Sequence, residues 1–385
     1  MNFDLTDEQR LLQDSVSRFV ADNYSLEKRN ALIQAEPGYS TPYWKQFAEL
    51  GWLALPFAEA DGGIGGSAID VMLLLEQLGK GLVVEPFLAN VVLAGGVLRR
   101  AADTAQRAQW LPQLIDGSCH YALAYAETQA RYDLADTMTA ARSADARAVG
   151  SGSDYLIDGT KTLVLNGGSA NQLVLSARTR GSRMDADGIS LFLVDAKSPG
   201  VTVDSYPMVD GLRAAEITFK AVQVPAANLI GTLHGGSAVL EAVLRDAILA
   251  VAAEAVGAME VLVADTVAYT QERQQFGHAL AQFQVLQHRM VDMLVEQELT
   301  KSLLYRATME TAQDPTDCAP EVARTVHALK HMVGTAGTFV GESAVQLHGG
   351  MGMTEELRIG HYFKRLTVIN LMFGDADYHL ERFVV

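Results

Sequence analysis

A cation and a glycine stand close together between Gln271 and Gln284, where a helical pattern ends. Arg273 carries a planar guanidinium, which is always charged and donates paired hydrogen bonds to phosphate oxygens. Gly277 lets the backbone turn where the preceding helix must end. This combination suits a pyrophosphate ligand. The alternative is an ion pair between Arg273 and Glu272 or another surface carboxylate.

A second motif follows a later helical pattern, where Gln346 and His348 precede Gly349, Gly350 and Gly352. Glycine lacks a Cβ, so the backbone amides of this segment can approach a ligand closely. The side-chain amide of Gln346 is suited to bond a carbonyl or a ribose. By itself this motif defines no ligand.

The histidines predict no metal site. His327 and His331 lie four residues apart, but no carboxylate or third ligand accompanies them, so a solvated pair is the simpler interpretation. His348 and His361 lack the Asp or Ser spacing of a catalytic triad, and we expect both to be structural.

Composition limits the class of protein. The chain has 385 residues, 49% of them hydrophobic, and a net charge of −16, which predicts a globular protein and argues against binding to nucleic acid or an anionic membrane. Cys119 and Cys318 lie far apart, so no disulfide framework is predicted. The N-terminal sequence does not read as a signal peptide. We therefore expect a cytoplasmic protein.

The first two regions differ in periodicity. Residues 1–118 show helical spacing, beginning with a capping box from Thr6 to Gln9. Residues 119–232 contain short apolar runs separated by turn dipeptides such as Asp158-Gly159, which favour hairpins. These patterns predict an N-terminal helical domain and a central β-domain.

Residues 233–385 return to helical spacing. Their most apolar helix, Ala247–Ala264, contains Glu254 and Glu260. Charges at these positions fit the core helix of a bundle better than a membrane span.

The order helical, β, helical, together with Arg273-x-x-Phe276-Gly277 and Gln346-x-x-Gly349-Gly350, closely resembles the acyl-CoA dehydrogenase family over essentially the whole chain. The resemblance implies an α+β multidomain fold with an N-terminal helical domain, a central β-domain and a C-terminal four-helix bundle, assembled as tetramers. It also implies FAD as cofactor and oxidation of an acyl-CoA thioester at its α and β carbons, as in fatty acid metabolism.

In that family the residues matching Arg273 and Phe276 contact the FAD of a neighbouring subunit, chiefly at its pyrophosphate half. The resemblance implies that Gln346, Gly349 and Gly350 serve the same end of the cofactor. Gln284, at the start of the next helical run, belongs to the same predicted set.

The segments that meet the flavin ring in the family are changed here. The Thr-Glu-Pro-Gly-x-Gly-Ser-Asp segment aligns with residues 126–133, so Ala126 replaces the threonine and Tyr132 the serine. Ala126 and Thr128 remain predicted cofactor contacts of this segment. The Trp-x-Thr beside the flavin edge becomes Leu163 and Leu165, which removes a ring wall and a hydroxyl donor.

The usual catalytic base of the family is missing. It lies in a Tyr-Glu-Gly-Thr stretch that here reads Met372-Phe373-Gly374-Asp375, and Phe373 cannot accept a proton. The family's alternative base position falls at about Ala247 or Ile248. Three carboxylates are substitutes in principle: Asp246, which is closest to the alternative position, Asp375 and Glu254. For each of them an ion pair or a helix cap is the competing interpretation.

This loss pattern resembles the small subunits of pimeloyl-CoA dehydrogenase and of the steroid-side-chain heterotetramers. The leading hypothesis is a subunit of an FAD-dependent acyl-CoA dehydrogenase, whose Arg273 and Gln346 hold the FAD of a paralogous, glutamate-bearing subunit. One alternative is a self-sufficient homo-oligomer with a displaced base such as Asp246. Another is a flavin-free acyl-CoA-binding or scaffold subunit.

Overall fold

The computed structural model describes residues 4–145, 154–314 and 319–384, so Cys318 lies outside the described residues. The chain forms two compact units. The bundle unit comprises the residues up to Gln34, Ser67–Val84 and the residues from Ile248 onward. The sheet unit comprises Ala35–Gly66 and Glu85–Ala247.

Within the described residues the α-helices are, in chain order, α1 (Asp7–Asn23), α2 (Leu26–Gln34), α3 (Thr41–Glu49), α4 (Ala68–Lys80), α5 (Gly95–Ala101), α6 (Thr104–Ile115), α7 (Gly236–Glu272), α8 (Gln284–Gln313), α9 (Pro320–His348), α10 (Arg358–Leu371) and α11 (Ala376–Val384). A π-helical segment, Leu88–Ala94, leads into α5. The strands are β1 (Tyr121–Ala124), β2 (Ala140–Ser143), β3 (Tyr155–Leu165), β4 (Gln172–Arg178), β5 (Ile189–Asp195), β6 (Val201–Pro207), β7 (Arg213–Val224), β8 (Leu229–Ile230), β9 (Gln274–Gln275) and β10 (His278–Ala279).

The sheet unit is built around one sheet with the strand order β6-β7-β3-β2-β4-β5-β8, and β1 pairs with β4. Most neighbours run antiparallel, whereas β4 is parallel to both β1, with Tyr121 opposite Gln172, and β2, with Ala140 opposite Arg178. The apolar side chains that the sequence alternates along these strands meet in one core, which includes Ile157, Phe192 and Phe219.

One predicted hairpin turn is wrong. Asp158-Gly159 lies inside β3, where the register against β7 shifts between Ile157 and Gly159. A Cβ at Gly159 would lie 2.5 Å from Thr139 Oγ1, so the glycine permits a close approach of two backbones. The short strands β2 and β8 were not predicted, because neither contains a long apolar run.

The bundle unit begins with the predicted capping box. The Thr6 hydroxyl accepts from the N–H of Gln9, and the Gln9 side chain accepts from the N–H of Thr6. Farther along, α4 and α7 approach so closely that a Cβ at Gly79 would lie 2.2 Å from Glu254 O. This close crossing buries the central part of α7.

An 18-residue window of α7 has a mean hydropathy of 2.0, which is apolar enough for a membrane span by composition. However, 83% of that window is buried within the protein. The helix therefore has the burial expected of the central helix of a bundle, as its interrupting carboxylates predicted.

Candidate active site

The segment after α7 is a β-hairpin. α7 ends at Glu272, and β9 and β10 pair with Gln275 opposite His278. Both turn residues have positive φ, 55° at Phe276 and 79° at Gly277, as in a type I′ turn. Gly277 thus serves the hairpin and does not end the helix, contrary to the expectation from sequence. The Phe276 ring is 89% exposed.

Arg273 directly follows α7, and its N–H donates to Tyr269 O at 2.8 Å. Arg273, Gln284 and Gln346 are all exposed. Their side chains make no hydrogen bond or ion pair within the described part of the chain. The expected alternative, an ion pair with Glu272, does not occur there, so the guanidinium remains available to an external anion.

The second glycine motif starts at the end of α9. Gly349 has φ 61° and ψ −142°, a conformation close to the region that only glycine enters readily. No atom of the described residues lies within 4 Å of the position that a Cβ would take at Gly349 or Gly350. Packing within the described chain therefore does not require these glycines, and the space beside their backbone is open.

Tyr269 and His348 bring the two motifs to the same end of the bundle unit. Their rings stack with centroids 4.2 Å apart and planes at 25°. The buried His348 ring also lies with Nδ1 2.8 Å from Ala344 O, so it is structural, as predicted. Arg273 stands one helical turn after Tyr269, and Gly349 follows His348 directly. Each of the two motifs thus begins within about one helical turn of the same ring stack.

The predicted ring-end contacts lie in the sheet unit. Ala126 and Thr128 belong to the loop after β1, and Ala126 O accepts from the N–H of Thr162 at 2.9 Å. This bond joins the loop to β3 next to Leu163. The methyl group of Ala126 offers no donor or acceptor, and the Thr128 side chain is exposed.

A buried ion pair fixes this loop. Lys161 Nζ donates to Glu127 Oε1 at 2.8 Å and to Ser176 Oγ at 3.1 Å, and Lys161 is fully buried. Glu127 also accepts from the N–H groups of Met138 and Thr139. Burial alone would raise the pKa of Glu127, but Lys161 and the hydrogen bonds outweigh it and lower the pKa to about 2.

Arg178 organises the continuation of the same loop. Its buried guanidinium donates to backbone carbonyls on both sides of the loop, those of Ala135, Thr137, Arg180, Arg183, Asp185 and Asp187. A second clasp joins Arg183 to Asp136 at 2.5 Å. The backbone of the region is thus held firmly, although its side chains differ from those of the family.

Leu163 occupies an irregular point of β3. Its φ is 49°, the register against β7 shifts between Lys161 and Val164, and the side chain is 55% exposed. A positive φ is rare for a branched apolar residue and costs about 1–3 kcal/mol. The strained backbone is present, but neither Leu163 nor Leu165 supplies a ring wall or a hydroxyl.

Phe373 stands in the turn between α10 and α11 and also has a positive φ, 59°. Its benzyl side chain offers no proton acceptor. Asp375 Oδ1 accepts from the N–H of Tyr378 at 2.9 Å, so this carboxylate caps α11, which agrees with the capping interpretation.

The other two candidate bases are held in ion pairs. Asp246 Oδ2 lies 2.9 Å from Arg99 Nη2 and 2.8 Å from Arg100 Nη2. Glu254 is buried and accepts hydrogen bonds from two nitrogens of the Arg365 guanidinium, Nε at 2.6 Å and Nη2 at 2.7 Å. Both arginines contact the same carboxylate oxygen of Asp246, so that oxygen is engaged in ion pairs. The role of Asp246 as a substitute base stays a prediction. The competing interpretation, an ion pair, is the role that these contacts show.

His327 and His331 do not form the solvated pair that the sequence predicted, because both contact other parts of the chain, and His361 is also engaged. His327 Nδ1 lies 2.8 Å from His379 Nδ1, His331 Nδ1 lies 2.9 Å from Ala376 O, and His361 approaches Glu355. Within residues 4–145, 154–314 and 319–384, no three His, Cys, Asp or Glu side chains form a group that could hold a metal ion.

Some residues with clear roles were not singled out from the sequence. Lys161 stands two residues before Leu163 on β3, and nothing in the sequence indicates that it is fully buried. Arg178 and Tyr269 carry no sequence signal, since their roles depend on loops and helix ends that meet only in the fold.

Taken separately, the two units differ in how well their residues suit parts of an FAD molecule. The exposed Arg273 fork and the open space at Gly349 and Gly350 suit a pyrophosphate. At the ring end, Ala126 and Leu163 offer no hydrogen-bonding side chain to a flavin.

Comparison with known proteins agrees with the fold. Family models for the acyl-CoA dehydrogenase N-terminal, middle and C-terminal domains match residues 6–118, 122–222 and 234–384. A short-chain specific acyl-CoA dehydrogenase from Clostridium acetobutylicum is 28% identical over 98% of this chain and 97% of its own length.

Two solved structures are similar over the whole chain. The FAD complex of PigA is 25% identical, with a TM-score of 0.88 over 100% of this chain and 98% of that one. The ChsE4–ChsE5 complex from Mycobacterium tuberculosis contains a chain that is 24% identical to this one. The match has a TM-score of 0.87 and covers 100% of this chain and 98% of that chain, which shows a similarity of fold.

The three matching domains define the fold class, with helical, β and helical domains in order. The chain belongs to the acyl-CoA dehydrogenase family, whose members are FAD-dependent oxidoreductases that act on a CH–CH bond.

Proposed function

We propose that this chain is the non-catalytic subunit of a hetero-oligomeric acyl-CoA dehydrogenase. One observation carries the proposal: the exposed Arg273 and Gly349 segments are equipped for a pyrophosphate, whereas Phe373 leaves the chain without a carboxylate at the base position. Such a chain needs a partner that bears the base.

The contacts for the pyrophosphate are presented outward. Arg273 and Gln346 have no polar partner within the described residues, and Phe276 extends into solvent. A ligand that belongs to another subunit would satisfy these groups. Arg273 would bind the pyrophosphate, and Gln346 with Gly349 would line the same end of the cofactor.

One face of α8 supports a contact between subunits. Val291, Leu294, Val295 and Leu299 follow helical spacing on this face, and each is about half exposed (45–56%). Contiguous exposed apolar side chains on one helical face are typical of a protein interface. We call this set the α8 stripe. The occupant we propose is the paralogous catalytic subunit, because the chain cannot complete a site with copies of itself.

The chemistry of the reaction indicates which of the two proposed subunits supplies the catalytic base. When bound, FAD would supply the acceptor for a hydride from the β-carbon of an acyl-CoA, and a carboxylate would have to remove the α-proton. General-base catalysis of such a step is worth roughly 10²–10⁴-fold in rate. In this chain Phe373 is apolar and Asp246 is held by two arginines, so the base is assigned to the partner. We also propose a cytoplasmic location, because Cys119 and Cys318 lie far apart in the sequence and predict no disulfide framework.

The test is purification of the chain alone and with a paralogue from the same genome that carries Tyr-Glu-Gly-Thr. Alone, the chain should bind far less than one FAD per subunit, by absorbance at 450 nm, and should not oxidise a panel of saturated acyl-CoA thioesters. Co-expressed, the two should form a yellow, active complex. Stoichiometric FAD with turnover by the chain alone would overturn the proposal. A colourless complex would favour a scaffold.

A further inference from the structure

The turn between α10 and α11 has an unusual backbone. Phe373 has φ 59° and Gly374 has φ 113°. A phenylalanine in the left-handed region costs about 1–3 kcal/mol and persists only where surrounding contacts hold it. The groups that hold this turn are therefore informative.

Lys330 of α9 provides the first hold. It is fully buried, and its Nζ donates to Gly374 O at 2.6 Å and to Asn370 O at 2.9 Å. A buried ammonium group is costly unless it is hydrogen-bonded, and here the acceptors are carbonyls on both sides of Phe373. Lys330 thus links the end of α10 to the turn.

A histidine pair provides the second hold. His379 Nε2 lies 3.0 Å from Phe373 O, so this nitrogen must carry a proton and donate. Burial and the nearby Lys330 lower the pKa of His379 to about 3, so the ring is neutral near pH 7 and its Nδ1 is an acceptor. His327 Nδ1, 2.8 Å away, must then be the donor to it.

Close packing leaves this turn little alternative. A Cβ at Gly374 would lie 2.5 Å from His379 Nε2. A Cβ at Gly334 of α9 would lie 2.2 Å from Asn370 Oδ1, an atom that also accepts from the N–H of Ala376. The helix and the turn are therefore fitted to each other without room for adjustment.

We propose that Lys330, His327 and His379, together the turn clamp, are positioning residues that fix the direction of the side chain at position 373. Lys330 and His379 hold the carbonyls of Asn370, Phe373 and Gly374, and His327 holds the ring of His379. These bonds keep Phe373 in its strained conformation. The inference goes beyond the proposed function, because it concerns one side chain and requires neither flavin nor a partner subunit.

The experiment places 4-cyanophenylalanine at position 373 of the full chain and records the infrared band of the nitrile. The intact clamp should give one narrow band. His379→Leu, which removes the donor to Phe373 O, should broaden the band and shift it toward the position of a nitrile in water. His379→Gln should retain the original band, because its amide nitrogen can replace Nε2 as a donor.

Lys330→Met should change the band in the same direction, whereas Lys364→Met, at a lysine of α10 paired with Glu355 outside the clamp, should not. Circular dichroism checks that each variant is folded. If Lys330→Met does not fold, the His379 pair decides the question. An unchanged band in folded His379→Leu, or equal changes in the Leu and Gln variants, would overturn the proposal.

Discussion

The two predicted sets of FAD contacts differ in what they retain. Of the predicted pyrophosphate contacts, Arg273 offers an exposed donor group and Gly349 an open stretch of backbone. Among the residues predicted to meet the flavin ring, Leu163 of the sheet unit and Phe373 of the bundle unit have positive φ angles, but the ring wall, the hydroxyl and the carboxylate of the family are absent. Backbone geometry depends on many contacts, whereas side-chain chemistry depends on a single residue. One substitution can therefore remove the chemistry of a side chain and leave the backbone geometry unchanged.

Positive φ angles make this difference visible. Of the eight non-glycine residues with positive φ in the described part of the chain, Arg131, Leu163, Phe276 and Phe373 lie in segments that the sequence assigns to the site, and Leu82, Asn166, Ala221 and His234 lie in other segments. Strained backbone of this kind persists only where surrounding contacts hold it. It is therefore present at the predicted ring contacts but is not specific to them.

The largest expected effect comes from restoring those groups. The variant Ala126→Thr/Leu163→Trp/Leu165→Thr/Phe373→Glu should exceed the same variant without Phe373→Glu by roughly 10²–10⁴-fold in acyl-CoA turnover, the typical worth of a general base. The reason is that the turn should present the new carboxylate in a fixed direction. Steady-state assays with added FAD measure the ratio. Equal rates would mean that the framework at the ring end is not sufficient.

Breaking the framework itself is the next test. Lys161→Met leaves the buried Glu127 carboxylate without its cation and should destabilise the protein by about 3–5 kcal/mol. Adding Glu127→Gln should recover part of this loss, because the amide is uncharged. Denaturant unfolding measures both changes. Lys197→Met, at an exposed lysine, is the matched control, and similar losses in the two single variants would contradict the assigned role.

At the pyrophosphate end, Arg273→Ala should weaken FAD binding by the complex with the paralogue. Hydrogen bonds to charged groups contribute about 1.5–3 kcal/mol, which corresponds to roughly 10–100-fold in Kd. Arg273→Lys should retain an intermediate affinity, because lysine keeps the charge and loses the fork. Arg289→Ala, also exposed, is the control. FAD retention during dilution gives the affinities, and identical retention in Arg273→Ala would remove the main support for the proposed function.

The smallest expected effect is a pH dependence of the free energy of unfolding, which reports on His379 beside the turn of Phe373. Burial lowers the pKa of His379 to about 3, whereas the unfolded chain titrates near 6.5. Below pH 6.5, His379 therefore becomes protonated in the unfolded state but stays neutral in the folded state. Stability should fall as pH decreases toward 3, by at most about 1.4 kcal/mol per pH unit from this group. His379→Gln should show a shallower slope in urea unfolding between pH 5 and 7, and parallel curves would refute this assignment.

Periodicity and capping gave the order of the elements. The apolar spacing along residues 239–263 requires a helix buried on most sides, and α7 is such a helix. The Thr6 capping box is local, so it forms as the sequence predicts. The short strand β2 was missed, because it holds only four residues and depends on pairing with β3.

The site was harder to predict, for physical reasons. Lysine is a surface residue in most proteins, so sequence gives no reason to bury Lys161 or Lys330. Leucine and phenylalanine avoid positive φ, so local preferences oppose the observed conformations of Leu163 and Phe373. Each of these features depends on contacts between distant segments, and Asp158-Gly159 shows the same limit, since its place inside β3 is set by Thr139.

The α8 stripe and the exposed ring of Phe276 bear on how much of this protein accumulates in a cell. Under the proposed function, a chain made in excess of its partner would keep these apolar side chains in water, where they would promote self-association and recognition by chaperones and proteases. Its lifetime would then depend on the amount of the proposed partner synthesised at the same time.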